Sequence, residues 1–312
     1  MPDNPYHYSP IEGDGALETK LHERSAIRYD VSFPSAQVPP LLGGTTVGAE
    51  YFFPRSRNKA PLAIILHGMG DSSLIPCRMI ARSLAGRGIA SLILLTVLHK
   101  SRMPGAIRSK YPRLSAQEWF EAYQISVTDA RQALDWAGRR PEIIPGQAAI
   151  IGISFGGFIA SIAMGLDTRF KAGIFIESGG NSDKITRHSL LLRFQYKLGQ
   201  EEYRRNQAMY ADYLREVAAR GYEAADSPKQ SYLTDPKTFA AAVKTRPVLM
   251  LNAWLDEMIP RAAVLDLWEA YDRPALHWYP ATHATIWMWY PWMRSKITRF
   301  LEKNFAPPGK QF

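Results

Sequence analysis

The sequence predicts an α/β protein: a mostly parallel, twisted sheet with helices on both faces and a helical lid inserted late in the chain. Short continuous apolar runs (LAIIL, IASLILL, AAIIG, AGIFI and PVLMLN) recur from Leu62 onward. Unbroken runs of that length mark strands buried on both faces. Helical patterns lie between them, and Phe120, Tyr123, Val127, Ala130 and Leu134 share one face of a helix ending near Trp136. Alternating strands and helices imply right-handed crossovers, which bring the strands' C-terminal ends to one edge of the sheet, where such sheets bind ligands.

In chain order, residues 1–24 are rich in Pro, Gly and acid and are expected to form a poorly ordered lead-in. AIRYDVSF and TVGAEYFF then read as two strands joined by the turn-rich PSAQVPPLLGG. The alternation breaks over residues 182–245, where no buried strand is found. That stretch is polar and helical, with Tyr196, Tyr203, Met209, Tyr210, Tyr213 and Leu214 interspersed. An insertion of about sixty residues after a strand's C-terminal end reads as a lid over the ligand edge; the alternative is a helical excursion packed on the flank. The core is expected over 25–181 and 246–305, the lid over 182–245 and a tail over 306–312.

Composition narrows the function classes. Of 312 residues, 46% are hydrophobic and 21% charged, which suits one large soluble domain and argues against disorder. The formal charge of +9 is spread along the chain, with no block of like charge and no zinc-finger spacing. A solvated basic surface is therefore expected rather than a nucleic-acid partner. Cys77 is the single cysteine, which excludes an intramolecular disulfide and a multi-thiolate metal site. The N-terminus lacks the pattern of a secretory signal, and no apolar run is long enough to span a membrane. A cytoplasmic protein without stable membrane insertion is the expectation.

The chemistry gathers around Gly152-Ile153-Ser154-Phe155-Gly156. A buried strand leads in and a small-residue helix leads out, so Ser154 is expected on a sharp, strained turn with its hydroxyl above the sheet. A serine is a weak nucleophile unless a base activates it and a third group orients the base. Asp256 follows the strand PVLMLN, and His283 follows the strand ALHWY, each at a strand's C-terminal end. Glu177, ending AGIFI, is the runner-up acid; Glu257 adjoins Asp256 but is expected to face the other way. His277 sits within a strand and reads as a packed or surface histidine, and His99 as a possible cleft residue. Two backbone donors are expected to meet a developing oxyanion: the N–H of Phe155 and, from the loop His67-Gly68-Met69-Gly70-Asp71, the N–H of Met69. His67 reads as a hydrogen-bonder holding that loop, and Cys77 as a packed residue with no base to activate it.

Taken together, LAIILHGMG, GISFGG and VLMLNAWLDEMIP…YPATHAT resemble the α/β-hydrolase superfamily over roughly Ala26 to Phe305. Within it, GISFGG is similar to the dienelactone-hydrolase-like, acetyl-esterase and prolyl-oligopeptidase branches, and the short strand pair ahead of the HG loop favours a single-domain esterase. Thr282 departs from the glycine that many relatives carry before the histidine. The resemblance implies a serine hydrolase acting on a small-molecule ester through Ser154, His283 and Asp256, without metal or organic cofactor. Trp287 and Trp289, just after His283, are candidate walls of a substrate pocket, with core packing as the alternative. The basic residues Arg193, Lys197, Arg204 and Arg205 read as a solvated face. A peptidase or amidase on the same residues, and a catalytically silent scaffold that binds a ligand, are the rival functions.

Overall fold

A computed structural model describes residues 4–10, 15–37, 46–103, 105–110, 113–190 and 198–305. Most of the PSAQVPPLLGG linker, together with Arg193, Tyr196, Lys197 and the tail over 306–312, lies outside those residues. Among the described residues, nine strands form one sheet: β1 (Ala16–His22), β2 (Ala26–Pro34), β3 (Thr46–Pro54), β4 (Ala60–Leu66), β5 (Ala90–Leu94), β6 (Ile143–Ile153), β7 (Phe170–Ile176), β8 (Val248–Ala253) and β9 (Ala275–Tyr279). Their order is β1-β2-β3-β5-β4-β6-β7-β8-β9. The pairs from β5 to β9 are parallel, so the C-terminal ends of β4 to β9 share one edge. β1, β2 and β3 continue the sheet antiparallel on the far side.

Among the described residues the helices are α1 (Ile75–Ala85), α2 (Gly105–Lys110), α3 (Ala116–Gly138), α4 (Phe155–Leu166), α5 (Ser182–His188), α6 (Gln200–Arg220), α7 (Gln230–Leu233), α8 (Ala240–Val243), α9 (Arg261–Ala270) and α10 (Tyr290–Phe305). Alternate residues of each central strand enter opposite cores, which is why the sequence shows continuous apolar runs. Leu62, Ile64 and Leu66 of β4 join the core under α3, α4 and α9. Ala63 and Ile65 join the core under α1 and α10. Helix α3 opens with a reciprocal cap: the Ser115 hydroxyl accepts the Glu118 N–H, and the Glu118 carboxylate accepts the Ser115 N–H at 2.7 Å. Phe120, Val127, Ala130 and Leu134 are buried along its expected face. No helix among the described residues is long and apolar enough to cross a membrane.

Within the lead-in over 1–24, the described residues include strand β1 and a buried tyrosine. β1 pairs with β2, and a register shift between Thr19 and Leu21 interrupts its alternation. Tyr6 is fully buried, its ring against Phe239 and its hydroxyl donating to the Leu233 carbonyl at 2.6 Å. Its partners lie more than two hundred residues away, out of reach of local sequence signals.

Over 182–245 the described elements are helices joined by turns. α7 packs on α3, α8 and the 3₁₀ turn Pro236–Phe239 pack on α4, and α5 packs on α6 and α9. Tyr210, Tyr213 and Tyr232 stack into a small core of their own with Val217 and Ala225. The segment meets the sheet's ligand edge through Ser189 and Leu190, which donate to the Glu257 carbonyl at 2.9 and 3.0 Å.

A buried ion pair joins the loop after β5 to α3. Arg102 donates to the Asp129 carboxylate at 2.8 Å, and the Ser35 hydroxyl donates to it at 2.7 Å. The two charged side chains are 5% and 0% exposed. Removing one partner of such a pair strands a charge away from water, which costs about 3–5 kcal/mol. Arg102→Met is therefore expected to lower the urea midpoint sharply, and Arg102→Met/Asp129→Leu to recover most of that loss.

Candidate active site

Ser154 follows β6 directly and opens α4 with φ at +51°. A non-glycine residue held there stores about 1–3 kcal/mol of strain, so the surroundings must over-determine it. The Ser154 N–H donates to the Ile176 carbonyl at 2.8 Å, and its own carbonyl accepts from Gly157 and Phe158 at 2.7 and 3.2 Å. Two glycines make the turn possible. A Cβ on Gly152 would lie 2.2 Å from the Gly156 oxygen, and one on Gly156 would lie 2.4 Å from the Leu66 oxygen. Helix α4 thus starts pressed against the ends of β4 and β6, and the serine side chain projects at the ligand edge.

Three side chains from three strand ends meet there. The Ser154 Oγ lies 3.0 Å from His283 Nε2, and His283 Nδ1 lies 2.8 Å from Asp256 Oδ2. The other Asp256 oxygen accepts the N–H groups of Met258 and Ile259, both at 2.8 Å, so the carboxylate cannot rotate away. Its side chain is 2% exposed and that of His283 is 20% exposed. With Nδ1–H donating to Asp256, Nε2 carries the lone pair that faces the serine hydroxyl.

Glu257 does not face away, as the sequence suggested. Its carboxylate accepts the backbone N–H of His283 at 3.1 Å and so clamps the loop after β9 to the loop after β8. Adjacency to Asp256 was the only sequence signal for this, and the direction of the intervening turn decides it. Glu177, the runner-up acid, is also present. Its Oε1 lies 3.7 Å from His283 Nδ1, farther than Asp256, and the residue is 1% exposed.

The loop after β4 lies beside the serine: a Cβ on Gly68 would be in ordinary contact, 3.6 Å from Ser154 Cβ. His67 holds this loop. The Thr96 N–H donates to His67 Nε2 at 3.2 Å, which leaves the hydrogen on Nδ1 to bond the Gly68 carbonyl at 2.8 Å. Burial pushes His67 down to about 4, so it is a neutral strut. Asp71 braces the loop's far side by accepting from the N–H groups of Ser73 and Leu74. Met69, between these anchors, has a 37% exposed side chain. The Phe155 N–H belongs to the first turn of α4, where helical N–H groups lack intrahelical acceptors. Its ring is buried against Trp119 and Tyr123 of α3, two aromatic neighbours of the site that sequence reasoning missed.

Trp287 and Trp289 pack on the core under α1 and α10, Trp289 also against Tyr279 and Trp292. Cys77 is fully buried in that core. His99 stacks edge-on against His67, and His277 lies half-buried on β9.

The family model described as alpha/beta hydrolase domain containing 18 matches residues 14–303. The chain belongs to that family. No curated protein matches it significantly. Among solved structures it is similar to the acetyl xylan esterase from Paenibacillus sp. R4, with 20% identity over 93% of this chain and 87% of that one and a TM-score of 0.64. Acetyl xylan esterase 1 from Thermoanaerobacterium sp. JW/SL YS485 shares 16% identity over 95% and 89%, also at 0.64. A cold-adapted esterase from an Arctic intertidal metagenomic library shares 19% over 92% and 97%, at 0.59. At these identities the likeness is one of fold.

In this alpha/beta hydrolase, Glu177, Asp256 and His283 could each offer a cation one atom, all within 4.8 Å of one another. His283 Nδ1 is already engaged by Asp256, and we assign the group no metal. Burial, with the Asp256 and Glu257 carboxylates nearby, pushes the Glu177 carboxyl up to about 10. The folded chain therefore holds this proton while the unfolded chain releases it above the usual carboxylate pKa, so folding is disfavoured increasingly as pH rises from about 5 toward 10. Glu177→Gln removes that dependence. Its melting temperature is expected to gain on the native chain progressively from pH 5 to 9, as measured by thermal unfolding across that range.

Proposed function

We propose that this alpha/beta hydrolase cleaves carboxylic esters through a serine acyl-enzyme. The observation that carries the reading is the hydrogen-bonded chain from a strained serine, Ser154 to His283 at 3.0 Å and His283 to Asp256 at 2.8 Å. Its members sit on the loops after β6, β8 and β9 at the ligand edge of the sheet. The fold of its esterase neighbours agrees with the proposal at the level of architecture.

On this reading Ser154 attacks the ester carbonyl as His283 Nε2 takes the hydroxyl proton. Asp256, fixed by the Met258 and Ile259 amides, holds the imidazole in the required tautomer and balances its positive charge. The N–H groups of Met69 and Phe155 receive the developing oxyanion, aided by the positive end of α4. His283 then returns its proton to the leaving alcohol, and an activated water releases the acid and restores Ser154. The strained turn is useful because it holds the serine at the tip between strand and helix, where its oxygen meets His283. The core spans 25–181 and 246–305, and the helical segment 182–245 acts as a lid anchored by Ser189 and Leu190 on the Glu257 carbonyl. The substrate is a small-molecule ester met in the cytoplasm, and no cofactor enters the reaction.

A fluorophosphonate probe tests the first step. Labelling is expected with the native protein, to vanish in Ser154→Ala, and to slow by about 10⁴-fold or more in His283→Ala, since removing the base disables the group as a unit. A folded native protein that takes no label would overturn the assignment. p-Nitrophenyl acetate, butyrate and octanoate compared with an aminoacyl p-nitroanilide test the bond cleaved. Esters are expected to be preferred, and faster anilide cleavage would convert the reading to an amidase or peptidase.

A further inference from the structure

The acyl-enzyme reaction leaves one buried acid beside the site without a task. Glu177 directly follows β7, the strand between the one that delivers Ser154 and the one that delivers Asp256. Its backbone is held at φ +51°, the same unusual region as Ser154, with its N–H donating to the Leu251 carbonyl at 2.9 Å. That conformation is costly for a residue with a side chain. The side chain is 2% exposed, and its Oε1 is buried without a hydrogen-bond partner 3.7 Å from His283 Nδ1. An orphaned carboxyl oxygen at this depth is rare and calls for a reason. Two acids from adjacent strand ends thus converge on one imidazole nitrogen, one bonded to it and one just out of bonding range.

We propose that Glu177 is a reserve acid of the site, a positioning residue that accepts the Nδ1 hydrogen of His283 when Asp256 cannot. This rests on the serine-hydrolase reading above. The titratable groups facing Glu177 among the described residues are Asp256 and Glu257 from the loop after β8 and His283 from the loop after β9. Three carboxyl groups in so little water do not all ionise; Asp256 has the Met258, Ile259 and His283 donors, and Glu177, with an oxygen that has none, keeps its proton. Glu177 therefore leaves His283 to Asp256 in the native protein. Loss of the carboxylate at position 256 removes one of the two repulsions and vacates the place beside Nδ1, where the Glu177 carboxyl oxygen, unpartnered in the native protein, can accept the hydrogen. A movement of about 1 Å then brings its oxygen within hydrogen-bond distance of Nδ1.

The test compares Asp256→Ala with Asp256→Ala/Glu177→Leu by nitrogen–proton NMR of the His283 Nδ1–H and by the rate of fluorophosphonate labelling. The downfield Nδ1–H signal, assigned by its loss in His283→Gln, is expected to persist in the single variant and vanish in the double. Labelling is expected to fall about 100-fold in the single variant, short of the roughly 10⁴-fold that follows loss of a triad's sole acid, and at least about tenfold further in the double. A signal already lost in Asp256→Ala, or equal labelling in the two, overturns the proposal. Should Asp256→Ala fail to fold, Asp256→Asn, which keeps an oxygen for the Met258 and Ile259 amides, replaces it under the same criteria. If the native protein itself takes no label, the hydrolase reading falls and the NMR criterion alone decides the role of Glu177.

Discussion

The close approach of α4 to the ends of β4 and β6 is the constraint on which the site depends. Gly152 and Gly156 let backbone lie where any Cβ would clash, and the chain can then reverse from strand to helix within one residue. That residue is Ser154, and its left-handed φ follows from the lack of space for a gentler turn. The cost is met by the packing around it, because α4 is apolar along nearly its whole length and buried against strand, helix and the 3₁₀ turn at Pro236–Phe239. A loosely packed α4 would let the turn relax, and the hydroxyl would leave the line to His283.

Around that fixed point the site is held by charge and hydrogen bonding rather than by apolar contact. Asp256 and Glu257 act on the same histidine in different ways, one through the ring and one through the backbone N–H. Both loops are thereby tied together through one residue. His67 performs the equivalent service on the opposite side. Held neutral by burial, it braces the loop that carries Met69 against Thr96. Glu177 adds a third carboxyl to the histidine's surroundings at the expense of an unpartnered buried oxygen.

The strands β2 to β9 were legible from the sequence because apolar runs and turn residues are local signals. β1 was not, because it is a short edge strand whose alternation is broken at Thr19–Leu21. The anchoring of Tyr6 was hidden as well, since its partners Leu233 and Phe239 become neighbours only in the folded chain. In the site, Ser154, Asp256 and His283 could be placed at one edge from their positions after the strands β6, β8 and β9. The aim of Glu257 could not, because the direction of the turn that separates it from Asp256 is set only in the folded chain.

The sequence by itself determined the alternation of strand and helix, the common edge at which the strands end, and the residues delivered to that edge. Those properties follow from periodicity and chirality, which act over a few residues. Tertiary structure decided which acid bonds His283, how far the other stands off, and which loop amides hold each carboxylate. Such choices turn on differences of about 1 Å between groups brought together from distant parts of the chain, and hydrogen bonding discriminates at that scale.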